Sequence, residues 1–255
     1  MTAKGYRLTA ATGIHKGDRD YQQDQVALLM HPRAKGCLMA VLADGMGGRK
    51  ASDQVMLTAR QLFERYAPET DDPALALQQL AIEAHTVIRL TALSAEEEPH
   101  STLAAFIINP DGSCHWVHAG DSRIYYYHGN RLVKRTLDHS YVQTLVNQGE
   151  LTPEQANFHP RANILMGCLG TEKEPPLDLD RIPRLLPGDA LLVCSDGVWH
   201  YFNDVEIGSV LGTLSARDAS EFLIAKARSR AKGSGDNLSL AIVKFEPLDT
   251  AVKTA

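Results

Sequence analysis

Residues 38–48 read Leu-Met-Ala-Val-Leu-Ala-Asp-Gly-Met-Gly-Gly. Six apolar residues in succession, Leu38 to Ala43, have the length of a strand, and the lack of any polar position implies burial on both faces. The run stops at Asp44, and three of the next four residues are glycine. An ionised carboxylate at the end of a buried strand is costly unless it is paired or bound to a metal. Glycine lets backbone come close to a ligand or cation. The stretch LADGMGGRKAS lacks the GxxxxGK[ST] spacing of a nucleotide-binding loop, so its glycines carry no such meaning.

The same design recurs further along the chain. Leu191, Leu192, Val193, Cys194 and Ser195 lead into Asp196-Gly197. Asp24 in RDYQQDQ, Asp121 in HAGDSRIY and Asp236 in GSGDNLS stand where an apolar pattern gives way to turn-forming residues. A single Asp-Gly pair is as readily an ordinary turn. Five aspartates in such settings, two of them after apolar strands, favour a metal site. Oxygen-only donors suit hard divalent cations such as Mn²⁺ or Mg²⁺.

Around these segments the periodicity alternates between strand and helix in blocks. Strands are expected near 6–12, 26–30 and 37–43, then a helix over 52–66. Asp72 followed by Pro73 marks the start of a second helix, whose apolar stripe is Leu77, Leu80, Ala81, Ala84, Val87 and Ile88. Pro110-Asp111-Gly112 and His128-Gly129-Asn130 separate two strand pairs, 102–109 with 114–119 and 123–127 with 131–134, as hairpin turns. Short helices should follow Asp138 and Thr152, strands should return at 181–185 and 190–194, and Ser215 with Asp218 resembles a capping box. A strand over 238–245 ends the pattern. The expected fold class is α+β: a central β-sandwich of two antiparallel sheets flanked by pairs of α-helices, four layers in all.

No linker or repeat divides the 255 residues, so one domain over 1–255 is expected. The net charge of −5 gives no support to nucleic-acid binding, and Arg131, Lys134 and Arg135 read as a solvated strand end. The amino-terminal MTAKGYRLTAATG lacks the apolar stretch of a secretory signal, and no apolar run is long enough to cross a bilayer. A cytoplasmic monomer is expected. Cys37, Cys114, Cys168 and Cys194 have no CxxC spacing and read as buried free thiols.

Taken in order, these motifs resemble the protein phosphatase 2C family, the metal-dependent serine/threonine phosphatases, in their compact bacterial form. The resemblance runs from about Gly13 to Phe245 and rests on residues 19–24, 42–48, 101–103, 120–123, 138–140, 188–189, 195–197 and 235–237. It implies hydrolysis of phosphoserine and phosphothreonine in protein substrates, the targets of a serine/threonine kinase, by metal-activated water. It implies two catalytic Mn²⁺ or Mg²⁺ ions and room for a third. Asp44 would bridge both catalytic ions, with the Gly45 carbonyl reaching the second. Asp196 and Asp236 would hold the first, Asp24 would bind a coordinated water, and Asp121 with Asp196 would hold the third. Arg19 stands at the position of a phosphate-binding arginine.

The sequence departs from the family pattern at Gln22, Gln23 and Met46. Gln23 replaces a glutamate common near the second metal, and Met46 stands where eukaryotic members carry a histidine proposed as general acid. His139 can replace that proton donor, or the Asp138-His139-Ser140 segment can simply cap the next helix. The segment 145–169 resembles a variable flap, which reads either as a lid over the substrate or as a plain connector. The alternative function is a catalytically silent module of the same fold that binds a phosphoprotein or a kinase.

Overall fold

The computed structural model describes residues 6–93 and 98–248. Both ends of the expected 1–255 unit therefore lie outside the described residues, as do the first five residues of the amino-terminal stretch. The chain begins with β1 (Tyr6–His15), β2 (Gln25–Met30), β3 (Leu38–Ala43) and β4 (Gly45–Met46), followed by α1 (Lys50–Arg65) and α2 (Pro73–Ala92). Next come β5 (His100–Ser101), β6 (Leu103–Ile108), β7 (Cys114–Ala119), β8 (Arg123–His128) and β9 (Arg131–Arg135). The short helices α3 (Tyr141–Asn147) and α4 (Pro153–Ala156) precede β10 (Asp178–Ile182) and β11 (Asp189–Cys194). The chain then runs through α5 (Asp196–Trp199), α6 (Asp204–Thr213), α7 (Ala216–Ala231) and β12 (Leu238–Pro247).

Two five-stranded antiparallel sheets, ordered β1-β12-β11-β8-β9 and β10-β7-β6-β3-β2, form the expected sandwich. Strand alternation divides the apolar residues among three layers of core. In β3, Leu38, Ala40 and Leu42 point between the sheets and meet Phe106, Leu191 and Val243. Met39, Val41 and Ala43 point the other way, against Val55, Phe63, Leu77 and Leu80 of α1 and α2. In β11, Leu191 and Val193 face the inter-sheet core, whereas Ala190, Leu192 and Cys194 pack on Ile207, Leu211 and Leu223 of α6 and α7. A strand inside a four-layer stack has no wet face, which is why both segments read as unbroken apolar runs.

Local signals placed most elements. Asp72 caps α2, accepting from the N–H of Ala74 at 2.8 Å. The 110–112 and 128–130 turns close their hairpins with Gly112 and Gly129 at positive φ. The four cysteines are buried and free. Three expectations need correction. β10 lies at 178–182 rather than 181–185; it is a mostly exposed edge strand, so burial prints little alternation on its sequence. Helix α6, the partner of α7, was not among the expected elements, although Asn203 and Glu206 form a full capping box at its start. At α7, Ser215 accepts from the Asp218 N–H but donates its hydroxyl to the Asp218 carboxylate, so the reciprocal half of the box is missing. No helix among the described residues is long and apolar enough to cross a membrane.

Candidate active site

At one end of the sandwich the strand ends bring five carboxylates to a single place. Asp44 follows β3, Asp196 follows β11, Asp24 precedes β2, Asp236 precedes β12, and Asp121 lies between β7 and β8. Contacts from neighbouring segments set these residues. The Asp44 N–H donates to Thr102 Oγ1 at 3.0 Å, and the Thr102 N–H returns to the Asp44 carbonyl at 2.9 Å. Thr102 in turn shares a 2.7 Å hydrogen bond with Ser122. Gly45 is required next because a Cβ there would sit 2.8 Å from the Gln23 carbonyl oxygen.

Asp24 is buried, and its Oδ2 accepts from Ser195 Oγ at 2.7 Å and Ser239 Oγ at 2.9 Å. The following residue of the Asp236 motif, Asn237, ties the start of β12 to the connection between β1 and β2. Its Oδ1 accepts from the Gln23 N–H at 2.7 Å, and its Nδ2 donates to the carbonyls of Lys16 and Tyr21 at 2.8 and 2.9 Å. Gly197 allows the turn after Asp196 to lie against this segment, since a Cβ would meet the Asn237 oxygen at 1.9 Å. The Asp121 carbonyl accepts from Trp199 Nε1 at 2.8 Å. Trp199 lies beneath the Arg123 guanidinium, 3.4 Å away, and Arg123 forks onto Asp138 at 2.7 and 2.8 Å.

These groups act on one another electrostatically. Burial, then Asp24, Asp196 and Asp121, push the Asp44 carboxyl well above its usual range. Burial, then Asp121, Asp236 and Asp24, do the same to Asp196. Asp121 is raised to about 7 by burial and by Asp138, with Arg123 opposing. Asp24 rises mainly through burial, offset by its hydrogen bonds from Ser195, Ser239 and Asp44. Arg19 brings a cation to the group: its Nη2 donates to Asp236 Oδ2 at 2.5 Å, and it also feels Asp196 and Asp44. Carboxylates this close repel one another, and like charges disfavour simultaneous ionisation. One arginine does not balance them. Oxygen donors alone, most of them desolvated, fit hard divalent cations, which would restore the ionised form of each acid.

All seven residues expected at the site, Arg19, Asp24, Asp44, Gly45, Asp121, Asp196 and Asp236, thus lie in this neighbourhood. His139 neither touches the carboxylates nor caps α3. The cap is Ser140, and the His139 ring is engaged with Gly120 and Asp178. Gln23 contributes backbone: its N–H goes to Asn237 and its carbonyl accepts from Ser52 at 2.5 Å. Met46 pairs across β4–β5 with His100. The supports Ser195, Ser239 and Trp199 had no assigned part in the sequence reading; a serine inside the apolar run Leu238-Ser239-Leu240 was the available signal. A cleft of about 340 Å³ runs from Asp121 and Asp196 to α3 and α4, so part of the 145–169 segment forms one of its walls.

Solved structures of phosphatases share this two-sheet sandwich. A bacterial serine phosphatase superposes with a TM-score of 0.85 at 26% identity, over 94% of this chain and 99% of that one. The catalytic domain of the serine/threonine phosphatase PstP in complex with two manganese ions superposes with a TM-score of 0.79 at 27% identity, over 94% and 98%. The serine/threonine phosphatase stp of Listeria welshimeri is 33% identical over 81% of this chain and 84% of its own. Residues 14–226 match the protein phosphatase 2C family model. The chain belongs to the protein phosphatase 2C family.

Proposed function

We propose that the chain hydrolyses phosphoserine and phosphothreonine in proteins phosphorylated by a serine/threonine kinase, as one phosphatase domain. The observation that carries this reading is the convergence of Asp24, Asp44, Asp121, Asp196 and Asp236, with Asp44 and Asp196 pushed up by burial and their acidic neighbours, in a chain of this family. Asp44 with the Gly45 carbonyl, Asp196 and Asp236 would hold two Mn²⁺ or Mg²⁺ ions, with Asp24 beside them through coordinated water and Asp121 with Asp196 holding a third. When bound, these cations supply an activated water and neutralise phosphoryl charge.

The chain's own residues do the rest. Thr102, Ser195, Ser239 and Asn237 fix the acids before a ligand arrives, so little reorganisation is left for the reaction. Arg19, largely exposed, can turn from Asp236 to a phosphoryl oxygen pair, for which its planar fork is suited. The α3–α4 wall of the cleft would shape access for the protein substrate.

Phosphate release from a phosphothreonine peptide, measured on chelator-stripped protein with and without Mn²⁺, tests the reading. Release that needs the metal supports it. A folded, Mn²⁺-binding protein that releases phosphate from no phosphopeptide would instead be the silent binding module.

A further inference from the structure

Asp121 presents its carboxylate to the acidic cluster, but its backbone is held from outside that cluster. His139 grips both polar groups of the preceding residue. Its N–H donates to the Gly120 carbonyl at 2.7 Å, and the Gly120 N–H donates to His139 Nδ1 at 3.3 Å. On its far side, His139 Nε2 lies 3.1 Å from Asp178 Oδ2. Because Nδ1 accepts, the neutral ring carries its proton on Nε2 and donates it to Asp178. The neighbouring Asp138 reaches the next peptide by another route, through Arg123 and the Trp199 indole to the Asp121 carbonyl.

His118, His139 and Asp178 also form a group whose ligand atoms lie within 4.8 Å of one another. Two imidazoles and a carboxylate are the donor types of a zinc site. The tautomer argues for a different role. A metal on Nε2 would displace the proton that Asp178 accepts, and would turn an Nδ1–H against the Gly120 N–H. His118 is fully buried with neither ring nitrogen hydrogen-bonded, and it packs on His139 with 4.6 Å between ring centroids.

We propose that His139, oriented by Asp178, is a positioning residue for Asp121: it locks the Gly120–Asp121 backbone so that the carboxylate meets a cation at the acidic cluster. The proposal rests on the metal-binding reading above. Groups that orient a ligand from behind are worth about 10–100-fold in metal affinity when removed.

Equilibrium Mn²⁺ binding, followed by the electron paramagnetic resonance of the free ion, tests this on the full chain. His139→Leu should weaken the weakest class of Mn²⁺ by about tenfold, Asp121→Asn should weaken the same class, and the double variant should be no worse than Asp121→Asn alone. Tighter binding should be retained in all three. His139→Asn, whose side-chain oxygen can accept where Nδ1 did, should restore most of the loss. Asp178→Ala should shift affinity the same way by less, since Asp178 is exposed and water can replace it. Unchanged Mn²⁺ binding in folded His139→Leu overturns the proposal, as does an equal loss from every class of ion. One equivalent of bound Zn²⁺ that His118→Ala abolishes also overturns it. Wild-type protein that binds no Mn²⁺ removes the metal reading itself, a result distinct from failure of the His139 variants. If His139→Leu does not fold, Asp178→Ala carries the test, and unchanged Mn²⁺ binding in that variant overturns the proposal.

Discussion

Thr102 and Asp44 hold each other by two hydrogen bonds, the Asp44 N–H to Thr102 Oγ1 at 3.0 Å and the Thr102 N–H to the Asp44 carbonyl at 2.9 Å. The pair closes the end of β3 against the start of β6 and points the Asp44 side chain at the other acids. Thr102→Val keeps the shape but removes the acceptor for the part-buried Asp44 N–H and the partner of Ser122. A loss of about 1–3 kcal/mol is expected, read by urea unfolding. Phosphatase turnover should fall in the same variant under conditions where it remains folded. Unchanged stability and turnover would show that the hydroxyl does not set Asp44.

Asp44→Asn should separate stability from function. In the metal-free protein Asp44 is crowded by Asp24, Asp196 and Asp121, so removing its charge relieves repulsion. Its melting temperature without metal should rise, while the stabilisation by Mn²⁺ and the metal-dependent phosphate release should both disappear. A variant that melts lower than wild type in chelator would contradict the repulsion.

The pH dependence of the metal-free protein follows from the same groups. Asp121 is raised to about 7 in the folded state against an ordinary 3.8, so the folded chain holds a proton that the unfolded chain releases. This contribution is complete below about pH 4 and is lost as the pH rises through about 7. Metal-free wild type should therefore lose stability as the pH rises from about 4 to about 7 relative to Asp121→Asn. Saturating Mn²⁺ should remove the difference, because it stabilises the ionised acids. Parallel curves for the two proteins in chelator would sink the prediction.

Gly197→Ala tests the close approach behind Asp196. The added Cβ would meet the Asn237 oxygen at 1.9 Å, and that backbone carries Asp236. Displacement of the segment should cost about 2 kcal/mol or more and weaken Mn²⁺ binding, both measurable by calorimetry. Wild-type stability and affinity would mean that the loop yields freely.

Arg19→Lys keeps the charge but loses the fork. Its ion pair with Asp236 is exposed, so thermal stability should hardly change. KM for a phosphopeptide should rise several-fold, with kcat falling less, if Arg19 meets the phosphoryl group. Kinetics identical to wild type would leave Arg19 as a partner of Asp236 alone.

The sequence by itself determined the sandwich and the acids. Continuous apolar runs such as Leu38–Ala43 state burial on both faces, and Asp44 or Asp196 at their ends states a carboxylate that needs a partner, because both follow from local chemistry. Caps and turns were equally legible where one short segment contains both partners, as at Asp72 or Gly112. Edge strand β10 and the missed α6 show the limit: one has a polar pattern that burial barely shapes, and the other's signal went unread. Only the tertiary structure decided what holds the acids in place. Ser239 reaches Asp24 across 215 positions of sequence, Asn237 joins Lys16, Tyr21 and Gln23, and His139 turns away from the cluster to Gly120 and Asp178. Hydrogen bonds of a few ångströms between residues far apart in the chain leave no spacing to read, since the fold alone sets their distance.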